Sequence, residues 1–171
     1  MSDHQIFKLG DKIIDAGLAY RIFEIKQGTN LNGNEESFIF YEPYFESEYA
    51  NGITCSIPIR NIEKTCIRKP ISKKGLEMML ESLSELPNGE SQVNTTVFRE
   101  SLRFNDAQKT AEILKLLWMD KADELTNFSR QKQDVFHQVM KRLTEEIALV
   151  AEISLVEAQE KIEEALGQAV D

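Results

Sequence analysis

The stretch Ile53-Thr-Cys-Ser-Ile-Pro-Ile-Arg-Asn-Ile-Glu-Lys-Thr-Cys-Ile-Arg-Lys-Pro-Ile-Ser-Lys-Lys-Gly-Leu76 decides the fold, because its apolar period changes partway along. Ile53, Cys55, Ile57 and Ile59 fall on every second residue, the spacing of a strand with one buried face. From Ser72 onward Leu76, Met79, Leu80, Leu83 and Leu86 recur at three and four residues, the spacing of an amphipathic helix. Two modules are therefore expected, residues 1–68 built from strands and residues 69–171 built from helices, giving an α+β fold.

Toward the N-terminus the strand pattern continues. Lys12 to Ile14 follows a Gly10-Asp11 turn signal, and Ala19 to Lys26 is rich in β-branched and aromatic residues, although its alternation is imperfect. Gln27 to Glu36 contains Asn32-Gly33, a pair that favours positive φ, and reads as a hairpin loop. Ser37 to Tyr44 is aromatic and is stopped by Pro43, and Glu46 to Gly52 reads as a further turn. Four or five short, mostly antiparallel strands joined by turns predict a small, strongly bent sheet or half-open β-barrel of SH3-like or Tudor-like form, which limits free edges.

Toward the C-terminus about five helices are expected in a compact all-helical domain. Pro87-Asn88-Gly89 ends the first, and a short second helix spans Thr96 to Phe104. Asp106 caps the third, whose apolar side carries Ala107, Thr110, Ala111, Leu114, Leu117 and Trp118. Trp118 follows Leu114 by four and reads as core. Ser129 caps the fourth, with a stripe of Phe136, Val139, Met140, Leu143, Ile147 and Val150. Ser154-Leu-Val-Glu157 fits a capping box at the start of the fifth.

Composition narrows the function. Hydrophobic residues make up 42% and charged residues 29%, as in an ordinary folded chain, and no apolar run approaches the roughly 20 residues a membrane span needs. Met1-Ser-Asp-His-Gln lacks the basic and apolar regions of a signal peptide, so a cytoplasmic protein without membrane contact is expected. Cys55 and Cys66 form no CxxC pair and complete no zinc site; both read as reduced thiols, Cys55 in phase with the core.

The net charge of −9 is shared, with seven Lys/Arg against ten Asp/Glu in residues 1–68 and thirteen against nineteen in residues 69–171. Tight non-specific DNA binding draws on a concentrated positive surface, so any DNA contact must be local or partner-assisted. No HExxH, GxSxG or P-loop pattern is present, and His4 and His137 stand apart from any nucleophile signature. A non-enzymatic protein without metal or cofactor is expected.

Three stretches resemble the CarD family of bacterial transcription regulators, which includes the polymerase-binding module of the transcription-repair coupling factor. They are Phe7-Lys-Leu-Gly-Asp-Lys-Ile-Ile14, the opening segment Ile53 to Leu76, and Asp106 to Trp118 continuing through Ser129 to Leu149. The resemblance implies that residues 1–68 bind the RNA polymerase β subunit by adding a strand to an exposed sheet edge, with Lys26, Gln27, Thr54 and Ser56 as contact candidates. Ser56 stands where family members often carry Arg, and Asp15-Ala-Gly-Leu-Ala19 replaces the family's Tyr-Pro-x-His-Gly pattern.

The resemblance further implies that residues 69–171 contact promoter DNA near the upstream edge of the transcription bubble and modulate open-complex stability, where family members use a Trp as a minor-groove wedge. The corresponding linker, Ser91 to Phe98, has no Trp; Phe98 is its aromatic residue, but Val97, Phe98, Ser101 and Leu102 also make an ordinary helical stripe that would bury it. Arg99 and Arg103 lie one helical turn apart, and Arg130 and Lys132 stand near a helix N-terminus, so the four are candidate phosphate contacts beside Phe98. A monomer is expected. The alternative is a polymerase-docked or stand-alone interaction module whose helical domain binds another protein.

Overall fold

The computed structural model describes residues 7–46, 52–86, 93–123, 125 and 127–168. It forms two compact units, one of residues 1–15 and 19–69, the other of residues 16–18 and 70–171.

The first unit is a four-stranded antiparallel sheet with strand order β1-β2-β3-β4, formed by β1 (Lys12–Asp15), β2 (Leu18–Thr29), β3 (Glu35–Pro43) and β4 (Cys55–Pro58). Gly10 has φ +85, as a turn ahead of β1 requires. The β2–β3 hairpin is longer than the sequence suggests. Gln27, Gly28 and Thr29 pair with Ser37, Glu36 and Glu35, which confines the loop to residues 30–34. The Asn30 carboxamide holds that loop, its Oδ1 accepting from the backbone N–H of Asn32 at 2.9 Å and of Asn34 at 3.0 Å, with Gly33 at φ +79.

The imperfect alternation of β2 has a cause. The register against β3 shifts between Ile22 and Glu24, a bulge that leaves Phe23 out of step and 38% exposed. Ile13, Ile22, Ile39 and Tyr41 form the buried face, with Cys55 and Ile57 of β4 packed against it. β4 is shorter than its apolar spacing predicts: Ile53 precedes it and is 46% exposed, and Ile59 begins a 3-10 turn, Ile59–Lys64, that sends Ile62 into the core instead. Beyond it, Arg68 and Ile14 exchange backbone hydrogen bonds of 2.8 and 3.1 Å. The sheet is not closed: the chain returns to β1 by a single bridge pair and not by a ladder. The expected turn at Glu46 to Gly52 lies largely outside the described residues.

The second unit contains, among the described residues, five α-helices: α1 (Lys73–Ser84), α2 (Thr95–Ser101), α3 (Ala107–Ala122), α4 (Arg130–Ala151) and α5 (Leu155–Gln168), with a 3-10 turn, Leu102–Phe104, after α2. The caps follow the sequence. Ser72, Asp106 and Ser129 accept from the backbone N–H three residues on, and Ser154 and Glu157 bond each other's backbone N–H reciprocally at 3.1 and 2.9 Å. Asn94 also caps α2, accepting from Thr96 and Val97. The reciprocal box holds the Glu157 carboxyl below its ordinary range.

α4 is the axis of the unit and packs against α1, α2, α3 and α5. Its buried row is Val135, Val139, Leu143 and Ile147, with Phe136 and Met140 beside it. Val150 is only half-buried, Leu86 lies past the end of α1 and is 67% exposed, and the expected stop at Pro87 to Gly89 lies outside the described residues. Three polar side chains tie elements to this framework: buried Glu146 accepts from the Ile71 N–H at 2.9 Å, buried Lys115 donates to main-chain oxygens at the end of α1, and Arg142 donates to the Leu102 oxygen at 2.7 Å. Burial lowers the Arg142 pKa.

Candidate functional site

Strand register sorts the contact candidates of the first unit by face. Lys26 pairs with Phe38 and Ser56 with Phe40, so Lys26, Ser56, Phe38 and Phe40 share the face opposite Ile39 and Tyr41. Gln27 pairs with Ser37, donating from Nε2 to its Oγ at 2.6 Å, and therefore points to the other side. Thr54 is exposed just ahead of β4 and Ser56 is exposed on it. Lys26 and Ser56 thus lie on one face and Gln27 on the other, and β4 is an edge strand of the sheet.

The outer face is aromatic. Lys26 Nζ lies 4.6 Å from the Phe40 ring centroid and 3.3 Å from the Glu24 carboxylate, and the Phe23 and Phe40 rings stand 6.5 Å apart. A Cβ on Gly28 would meet the Phe38 ring at 3.1 Å, so this glycine lets the ring lie close over the strand. On the inner face the Tyr41 hydroxyl donates to Asp15 at 2.8 Å; burial first, and that carboxylate second, raise the phenol pKa. Burial and then Asp15 also raise the Cys55 thiol, keeping it protonated, while Cys66 is exposed and forms no disulfide.

In the second unit two of the five DNA-contact candidates are wholly or largely covered. Phe98 is buried, 7% exposed, because Phe98 and Leu102 stand four apart on the inward row of α2 and its 3-10 extension. Lys132 is also withdrawn: its Nζ meets Asp120 at 2.8 Å, with side chains only 17% and 13% exposed, so its charge is spent tying α4 to α3. Arg99, Arg103 and Arg130 are exposed and have no carboxylate partner among the described residues. Arg103 follows Leu102, which Arg142 anchors, and Arg142 stands ten residues beyond Lys132, about 15 Å of helix rise. The four cations do not form one track.

No protein-family model matches the chain, and no curated protein matches its sequence.

The exposed aromatic residue of this region is Phe104, which the sequence pattern did not single out. It is 75% exposed at the end of the 3-10 turn, beside Arg103 and with Val97 51% exposed on α2. Its signal was positional: it falls outside the Phe98–Leu102 row and just before Asn105, which adopts φ +55 ahead of the Asp106 cap. Trp118 packs at the edge of the core and not inside it. It is half-buried and stacks on Phe136 at 6.2 Å and 25°, at the margin of a groove among α3, α4 and α5. Among the described residues no helix is long and apolar enough to cross a membrane.

Proposed function

We propose that this chain is a CarD-like, non-enzymatic transcription regulator of the bacterial cytoplasm that binds the RNA polymerase β subunit through its sheet unit and modulates promoter open-complex stability through its helical unit. The observation that carries this reading is the order of the parts: an open antiparallel sheet with β4 last in its strand order, followed by a unit with five α-helices among the described residues, the succession that the sequence resemblance requires. The sheet is then a divergent relative of the SH3-like and Tudor-like barrels. Its docking uses main-chain pairing along an edge, a mode that tolerates Ser56 in place of an arginine.

Phe104 takes the part for which Phe98 was the sequence candidate. An exposed ring flanked by Arg103, on a turn fixed from behind by Arg142, has the form of an apolar wedge beside a phosphate contact. Retention of the full-length chain on the β-subunit lobe at low salt, with a changed lifetime of the promoter bubble in its presence, is the expected result. Failure to bind the lobe would end the reading; binding with an unchanged bubble lifetime would end its DNA half.

A second reading has its own support. With Lys132 neutralised by Asp120 and a net charge of −9, the helical unit suits a protein partner as well as DNA. An upstream footprint with polymerase that is identical for wild type and R99E/R103E would favour that partner.

A further inference from the structure

The helical unit contains a cavity unrelated to either surface above. It has a volume of about 610 Å³, opens to solvent on one side, and lies along α4 between the end of α3 and the start of α5. That volume is in the range of clefts that hold small organic ligands, roughly 300–1,000 Å³. Trp118, Phe136, Met140 and Leu155 are its apolar lining residues, the Trp118 and Phe136 rings 25° from parallel, and of the carboxylates that also line it Glu145 lies 4.0 Å from the Lys141 ammonium and Glu163 accepts from Gln159 at 2.8 Å.

Two polar groups in this lining lack the partners that their positions call for. Thr144 is 7% exposed, and its Oγ1 is buried without a hydrogen-bond partner, a state that costs free energy unless something else supplies the bond. Lys121 holds its ammonium 4.7 Å from the Phe136 ring centroid and has no carboxylate partner among the described residues. Phe136 and Thr144 are eight residues apart on one helix, about 12 Å of rise. An unpaired cation thus stands near one end of an aromatic trough and an orphaned hydroxyl toward the other.

We propose that this trough is a binding site for an elongated aromatic organic anion, its acid group on Lys121, its ring system on Trp118 and Phe136, and a hydrogen-bonding group at its far end on Thr144. Cation and ring together favour an aromatic acid over an alkyl chain, because the ring extends the existing stack while the acid meets an ammonium already seated on an aromatic face. The site is independent of the polymerase reading and stands or falls apart from it.

The test uses the full chain and four probes: 6-hydroxy-2-naphthoate, 2-naphthoate without the hydroxyl, 2-naphthol without the acid, and decanoate. Trp118 is the sole Trp, so one indole N–H signal reports the site directly while calorimetry gives the affinity. The hydroxynaphthoate is expected to shift that signal saturably and to bind most tightly. Lys121→Gln should weaken both acids by roughly tenfold and leave 2-naphthol unchanged, and Thr144→Val should weaken the hydroxynaphthoate by roughly fivefold and leave 2-naphthoate unchanged. Both variants change side chains without removing packing volume at the core, and their melting curves check the fold. An unmoved indole signal, affinities untouched by both substitutions, or decanoate binding as tightly as the naphthoate would each overturn the assignment.

Discussion

Lys115 Nζ donates to the main-chain oxygen of Ser82 at 2.6 Å and to that of Glu85 at 3.1 Å. A lysine 8% exposed thereby serves as the C-terminal cap of α1 from the neighbouring helix α3. The end of α1 offers carbonyls with no partner in their own helix, and the ammonium satisfies two of them. Lys115→Met keeps the stem and removes the donors, so urea denaturation should show a loss of about 1–3 kcal/mol, the cost of leaving buried acceptors unsatisfied. An unchanged midpoint would mean that water replaces the ammonium.

The two phenylalanines at either end of the α2 region should behave oppositely. Phe98→Ala removes a buried ring and should cost about 3–5 kcal/mol, whereas Phe104→Ala removes an exposed one and should stay within about 0.5 kcal/mol. The same pair separates stability from function. Under the polymerase reading, F104A shortens or lengthens the promoter bubble with an unchanged melting temperature.

Tyr41 and Cys55 give the sheet unit a defined alkaline response. Both groups have folded pKa values above their ordinary ones, so the folded state holds their protons more tightly than the unfolded chain does. Their contribution is complete below the ordinary thiol and phenol values, about 8.5 and 10, and is lost as the pH rises above these values toward the folded ones. Stability should therefore fall from pH 9 to 11. Tyr41→Phe should cost about 1 kcal/mol at neutral pH, through the lost bond to Asp15, and should flatten the upper part of that slope.

Among the described residues three non-glycine residues adopt left-handed backbone, Ala16 at φ +49, Asn105 at φ +55 and Glu152 at φ +58. Glu152 closes α4, and its N–H bonds to the Ala148 oxygen. Glycine carries no Cβ penalty in that conformation, so Glu152→Gly is expected to stabilise the chain by about 1 kcal/mol, read as a higher melting temperature.

Much of the helical unit was legible because its signals are local. Asp106, Ser129 and Ser154 each announce a helix start through a side chain that meets a backbone N–H three residues away, and each does so. The sheet was less legible because strand ends depend on partners remote in sequence. Gln27 looks like a loop residue until Ser37 stands opposite it, and Ile53 and Ile59 share the phase of Ile57 without sharing its neighbours.

Candidate contact residues were least legible, because exposure is decided by tertiary packing. Arg103 and Lys132 are equivalent as sequence, and only the presence of Asp120 across the α3–α4 junction makes one accessible and the other an internal tie. Trp118 has core spacing yet stops half-covered, since nothing among the described residues fills the trough beside it. Phe104 was hidden for the converse reason: apolar residues draw attention by periodicity, and it has none.

The position of α4 against all four other helices has a consequence for motion. No helix of the unit leaves without baring part of α4, so local opening is confined to the outer helices and their ends, and exchange of the central α4 amides with deuterium proceeds only through unfolding of the whole unit. The amides from Val139 to Ile147 should be the slowest in the helical unit. They would set a clock for global unfolding against which every shorter-lived excursion can be timed.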